Sequence, residues 1–278
     1  MTDLPIGIFD SGIGGLTVLA ALERHLPNES FVYLGDTARL PYGTKSAATV
    51  TRYAVRAAHA LTERGIKLLV VACNTASAIA LDALEKEFRG LPVLGVVRPG
   101  ATAASRATHT RRIAVLSTEG TAREGAYVRE IHRHLPDAEV VSIACPIFVA
   151  LAEEGWTNGP IVEAVAREYL SNVFLNGKSP APDTLVLGCT HFPPLRETIQ
   201  QVVGKHIAIV DSAETTAEVV QHALQTEKLA RESNEPRRTV QVLATDAPDR
   251  FARVARHFLP ADLVPSSVEL VDLAPRTG

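Results

Sequence analysis

The stretch LLVVACNTASA at 68–78 runs five apolar residues into Cys73, then into Asn74 and Thr75, and only then into a helix-like pattern; TLVLGCTHFPP at 184–194 repeats the arrangement around Cys189 and Thr190. A short, β-branched, nearly continuous apolar run reads as a strand covered on both faces. Similar runs flank these two: IGIF at 6–9, FVYL at 31–34, VLGV at 93–96, IAVL at 113–116, VVSI at 140–143, IAIV at 207–210 and VQVL at 240–243. Between them lie longer segments of helical period. One runs from Ser46 to Gly65, a natural residue after a helix end; one opens with Pro160; one stops before Pro260. Strands alternating with helices specify an α/β fold with mostly parallel sheets flanked by helices.

The two cysteine stretches belong to a wider approximate duplication. IGIFDSGIGG matches IAVLSTEGT from Ile113, FVYLGD matches VVSIACP from Val140, LLVVACNTAS matches TLVLGCTHFP, and PVLGVV matches HIAIVDS from His206, all in the same order. The pattern predicts two similar α/β lobes, one built from residues 1–97 and 212–278, the other from 98–211. The charged, turn-rich run KLARESNEPRR at 228–238 reads as a surface loop. Ligands of open parallel sheets bind outside the carboxyl ends of the strands. If the lobes face each other, the active site lies in the cleft between them, with Cys73 and Cys189 on opposite walls.

Composition excludes several classes of function. With 278 residues and 46% hydrophobic content the chain can bury a large core, and a formal net charge of −3 leaves no basic footprint for nucleic acid or an anionic membrane. An aromatic content of 5% gives no surface for stacking bases. The N-terminus lacks the basic and apolar regions of a signal peptide, and no run reaches a membrane span, so a cytoplasmic location is expected. Three cysteines, an odd number, fit a reducing compartment and no disulfide framework.

A cysteine at a strand-to-helix junction meets unpaired N–H groups and the positive end of the helix dipole, which favour thiolate over thiol. The same groups can hold a carboxylate. A cysteine at a strand end is otherwise simply a small buried hydrophobe. Two at equivalent places in duplicated lobes point to function, whereas Cys145, in ACPIF, has no helix-start pattern and reads as structural. A Cys₃His metal set of Cys73, Cys145, Cys189 and His191 lacks any C-x₂₋₄-C pair, so no metal is expected. FDSGIGGLTV at 9–18 has neither G-x-G-x-x-G spacing nor a Walker lysine, and Asp10 at its tip would repel a phosphate. Asp10 suits an ammonium group or a proton-transfer partner, or it caps the following turn.

GIFDSGIGGLTV, PYG at 41–43, ACNTASA, LAEEGW after Cys145 and GCTHFP together resemble the signature blocks of the glutamate racemases, cofactor-independent enzymes of the aspartate/glutamate racemase superfamily. The resemblance covers most of the chain and weakens after about residue 212. It implies a two-base racemisation of glutamate at Cα, Cys73 acting on the D-enantiomer and Cys189 on the L-enantiomer. Asp10 would assist Cys73, and His191 with Glu153 would assist Cys189; Glu153 is chosen over Glu154 because the family places this acid two residues before the glycine, here Gly155. Substrate contacts carried over are Asp10, Ser11, Tyr42, Gly43, Asn74, Thr75, Thr118, Thr121, Thr190 and His191. The pattern departs at Glu124, where family members often have serine. The resemblance also implies no cofactor, D-glutamate supplied to peptidoglycan synthesis, and a homodimer, although no helix carries a stripe that marks an interface. The rival readings are a racemase of the same superfamily acting on aspartate or a hydantoin, and a non-catalytic amino-acid-binding protein.

Overall fold

The structure, a computed structural model, describes residues 2–175, 180–232 and 239–273. Its strands fall into two all-parallel sheets. The first contains β1 (Ile6–Asp10), β2 (Phe31–Gly35), β3 (Leu68–Val71) and β4 (Val93–Gly95), joined by β9 (Val240–Ala244) and β10 (Glu269–Leu270) in the order β10-β9-β2-β1-β3-β4. The second contains β5 (Arg112–Ser117), β6 (Glu139–Ala144), β7 (Thr184–Gly188) and β8 (Ala208–Asp211) in the order β6-β5-β7-β8. The order β2-β1-β3-β4 is thus repeated as β6-β5-β7-β8, the topology that the internal sequence duplication encodes.

Period-two alternation distributes each sheet's side chains between two cores. Ile6, Ile8, Leu68 and Val70 face α1 (Leu16–His25) and α10 (Ser212–Thr226), while Phe9, Leu69 and Val71 face α2 (Ala47–Thr62) and α3 (Asn74–Glu87). In the second sheet Leu116, Leu185 and Leu187 pack under α7 (Pro146–Glu153), α8 (Pro160–Leu170) and α9 (Arg196–Val203). Ile113, Val115 and Val186 meet α4 (Val97–Ala107) and α6 (Ala126–His134) on the other side. Helix ends follow local chemistry: Ser46 accepts from the Thr49 N–H at the start of α2, and Gly65 takes φ +72° just beyond its end.

Chain 227–232 is fastened to the first sheet by a buried ion pair. Lys67 Nζ lies 2.5 Å from Glu29 Oε2 and also donates to the carbonyls of Thr2 and Leu229, while Glu29 Oε1 accepts from the Arg231 N–H. Residues 233–238 of the charged run lie outside the described residues; in its beginning Lys228 and Glu232 are exposed, as expected of a surface loop, while Leu229 and Ala230 pack partly buried on the first core. Among the described residues no helix is long and apolar enough to cross a membrane.

Candidate active site

All strands of a sheet run the same way, so β1 and β3 end on one side of the first sheet and β5 and β7 on one side of the second. Asp10 ends β1, Cys73 follows β3, Thr118 follows β5 and Cys189 follows β7. The two halves touch there directly: Thr75 of α3 shares hydrogen bonds with Thr118 and Thr121 at 2.9 and 3.2 Å, and Thr118 meets Thr121 at 3.1 Å. Thr121 also donates its N–H to Thr118, the residue that caps α5 (Glu119–Glu124). Gly43 is tucked beneath this trio; a Cβ on it would sit 2.9 Å from Thr118 Cβ.

Cys73 caps α3 and is buried, its thiol donating to Ser11 Oγ at 3.2 Å while the Ala76 N–H points at Sγ from 3.5 Å. Asp10 ends the neighbouring strand, one carboxylate oxygen accepting from the Gly12 N–H and the other buried with no hydrogen-bond partner among the described residues. Burial raises the Asp10 carboxyl above its usual range, partly offset by the charge on His191. The expectation of a lowered thiol pKa fails at Cys73, which is pushed up to about 12. Burial is the main cause and the Asp10 charge adds to it; the hydrogen bonds with Ser11 and with the Ala76 N–H lower it by less.

The surroundings of Cys189 are built differently. Cys189 stands 3.9 Å from His191 Nδ1, His191 Nε2 stands 3.3 Å from Glu153 Oε1, and Arg250 donates to Glu153 Oε2 at 2.8 Å. Burial opposes the His191 imidazolium, but hydrogen bonding to Cys189 and Glu153 outweighs it and raises the pKa to about 10. The hydrogen bond from His191 chiefly holds Glu153 below the usual carboxylate range. Cys189 is not at a helix start, contrary to the sequence expectation: a short turn at Pro193–Leu195 follows, and α9 begins only at Arg196. Pro193 and Pro194 would clash with the carbonyls of Cys189 and Thr190 in a helix begun at Thr190. Cys145 shows the reverse error, because Pro146 at the first position makes it the residue that opens α7; its side chain is wholly buried in the core under that helix.

The remaining expected residues distribute unevenly. Asn74 Oδ1 accepts from Tyr127 of α6 at 2.7 Å, and its Nδ2 is buried without a partner among the described residues. Tyr42 is buried, its hydroxyl donating to Asp36 at 2.6 Å and its ring packing beside those of Phe9 and Tyr53. The glycine-rich loop after β1 is a contact surface between the two halves: a Cβ on Gly14 would lie 2.6 Å from Thr190 Oγ1 and collide with the His191 ring. Thr17 bridges the same seam, its hydroxyl donating to the carbonyls of Gly14 and Thr190. Thr17, Tyr127 and Arg250 sit in ordinary amphipathic helices and carry no local mark in the sequence.

Because Gly14 admits no side chain here, Gly14→Val is expected to displace His191 and lower kcat/KM by about 10²-fold, the usual penalty for a group misplaced by about 1 Å. Steady-state kinetics beside a far-UV spectrum of the variant check this.

The sequence profile described as Asp/Glu/Hydantoin racemase matches residues 14–220. A curated glutamate racemase from Geobacter metallireducens is 50% identical over 91% of this chain and 92% of its own length, and one from Chlorobaculum tepidum is 44% identical over 98% and 97%. The crystal structure of the Francisella tularensis glutamate racemase, solved in complex with D-glutamate, superposes with a TM-score of 0.89 at 36% identity, covering 98% of this chain and 99% of that one. The chain therefore belongs to the Asp/Glu/hydantoin racemase family and is an isomerase.

Proposed function

We propose that the chain interconverts L- and D-glutamate by a two-base proton transfer between Cys189 and Cys73. The observation that carries this reading is the pair of buried thiols at equivalent strand ends, each with a different polar partner, beside two buried polar atoms that lack partners, Asp10 Oδ1 and Asn74 Nδ2. Buried polar groups are almost always satisfied, and an unsatisfied pair of this kind suits a ligand. A carboxylate oxygen accepts from an ammonium group and an amide nitrogen donates to a carboxylate, so an amino acid supplies what both lack. The threonine trio and the Ser11 and Thr190 hydroxyls add donors for a second carboxylate.

In this reading Cys189, as thiolate beside the His191 imidazolium, takes the Cα proton of L-glutamate. The Cys73 thiol, kept protonated by burial, delivers a proton to the opposite face. The product is D-glutamate, with Cys189 protonated and Cys73 a thiolate, which is the form needed for the reverse direction. Asp10 stabilises or accepts the proton at Cys73, and Glu153 holds His191 toward Cys189. Both proton transfers are supplied by the chain's own thiols, so the scheme calls for no cofactor.

The two lobes of this scheme are residues 1–97 with 212–278, and 98–211. D-Glutamate made this way would supply peptidoglycan synthesis in the cytoplasm, and a homodimer is the assembly the family suggests. Relatives at 50% and 44% identity named for glutamate favour that substrate over aspartate or a hydantoin. A panel of L-glutamate, L-aspartate and a hydantoin, followed by loss of optical rotation, tests it: turnover of glutamate alone is expected. Turnover of aspartate without glutamate would assign the substrate otherwise, and binding without turnover would leave an amino-acid-binding protein.

A further inference from the structure

The proposed scheme rests on two catalytic walls, yet the Cys189 wall is completed by a segment far from it in sequence. Helix α11 (Pro248–Ala255) belongs by packing to the first sheet: Phe251, Val254 and Ala255 lie in its core, and the Phe251 ring sits 6.0 Å from that of Tyr33. The same segment reaches the His191 relay at three points. Arg250 donates to Glu153 Oε2, the Phe258 ring stands edge-on to His191 with centroids 5.4 Å apart, and His257 packs where a Cβ on Gly155 would be. Gly155 takes φ +72°, so the chain turns sharply there to end α7 with Glu153 facing this segment.

The geometry points to Arg250 as a positioning residue for the racemisation: by holding the outer oxygen of Glu153, it turns the inner oxygen onto His191 and so fixes the imidazole against Cys189. The inference rests on the proposed use of Cys189 and His191, and extends it to a residue of a different layer. Glu153 Oε1 and Oε2 each have one cationic partner, His191 and Arg250, and the carboxylate is mostly buried, with 14% of its side chain exposed against 44% for Arg250. A carboxylate fixed at one oxygen has little rotational freedom at the other, so the arginine acts through geometry. It also adds positive charge beside Glu153, which favours the ionised carboxylate. The other titratable groups around Glu153 are His257 beside Gly155, Glu119 across the groove shared with Thr118 and Pro146, and the adjacent Glu154. Two of these three are acidic, so Arg250 and His191 are the neighbours that offset them.

The test is the pH dependence of kcat/KM for L-glutamate in the full-length chain, comparing the unaltered protein with Arg250→Met, Arg250→Lys, Glu153→Gln and the Arg250→Met/Glu153→Gln double variant. Arg250→Met is expected to lower kcat/KM by about 10-fold at neutral pH through misplacement of the relay. Removing a cation raises the Glu153 pKa, so the acid limb of the profile moves to higher pH. Arg250→Lys, which keeps the charge, is expected to restore the limb and most of the rate. On the Glu153→Gln background the methionine change is expected to cost little more, since groups acting as one unit are not additive. Thermal melts accompany each variant, and should Arg250→Met not fold, Arg250→Gln takes its place in every comparison. An unmoved acid limb, or an equal loss with and without Glu153, overturns the assignment of Arg250 while leaving the racemase reading intact. Absence of glutamate turnover by the unaltered chain overturns both.

Discussion

Cys73→Ala is expected to lower racemisation by about 10³-fold or more from either enantiomer, within the range lost with a positioned acid–base group, while D-glutamate binding stays within a few-fold of the parent. In one direction Cys73 is the acid and in the other it is the base, so its removal stops both, and an alanine offers no substitute for either role. Cys189→Ala is expected to behave alike, although the environments differ: Cys73 is held as a thiol at about 12, while Cys189 has the imidazolium of His191 beside it. Circular dichroism on each enantiomer and calorimetric titration with D-glutamate measure the two quantities. A variant of either cysteine that retains a tenth of the parent rate would remove the two-base scheme.

Lys67→Met is expected to destabilise the fold by about 3–5 kcal/mol, the usual result of deleting one partner from a buried ion pair. Glu29, 5% exposed at its side chain, would keep the Arg231 N–H at Oε1 and lose its counter-charge at Oε2. The carbonyls of Thr2 and Leu229 would lose their donor as well. The double change Lys67→Met/Glu29→Leu is expected to recover much of the loss, because an unpaired charge, rather than a missing attraction, is the main penalty. Urea unfolding of the parent and both variants checks this through the midpoint, with the slope unchanged. A loss below about 1 kcal/mol, the scale of exposed pairs, would show that water reaches Lys67.

The strands were legible because each is a β-branched run bounded by turn residues, and duplication of their order anticipated the repeated β2-β1-β3-β4 and β6-β5-β7-β8 topology. β10 was not, since two exposed residues, Glu269 and Leu270, carry no periodicity. The junctions at Cys189 and Cys145 depart from the sequence expectation in opposite ways. At Cys189 the prolines at 193 and 194 should have warned that no helix could start at Thr190. At Cys145 the proline at 146 should have indicated that one could. The thiol pKa at Cys73 was misjudged because a sequence shows the helix start but not the burial that opposes it. Thr17, Tyr127 and Arg250 were invisible for a third reason: each contributes by reaching across a seam between distant parts of the chain, and one sequence has no local mark of such a contact.

The central claim is that two groups on opposite faces of Cα exchange its proton. L-Glutamate converted in D₂O, sampled by mass spectrometry within the first few percent of reaction and separated by enantiomer, tests it most directly. The account predicts that the D-glutamate formed carries deuterium at Cα while the remaining L-glutamate is still protiated, because the proton removed by Cys189 is not the one delivered by Cys73. D-Glutamate that retains the original proton, or L-glutamate that gains deuterium as fast as product forms, would contradict it.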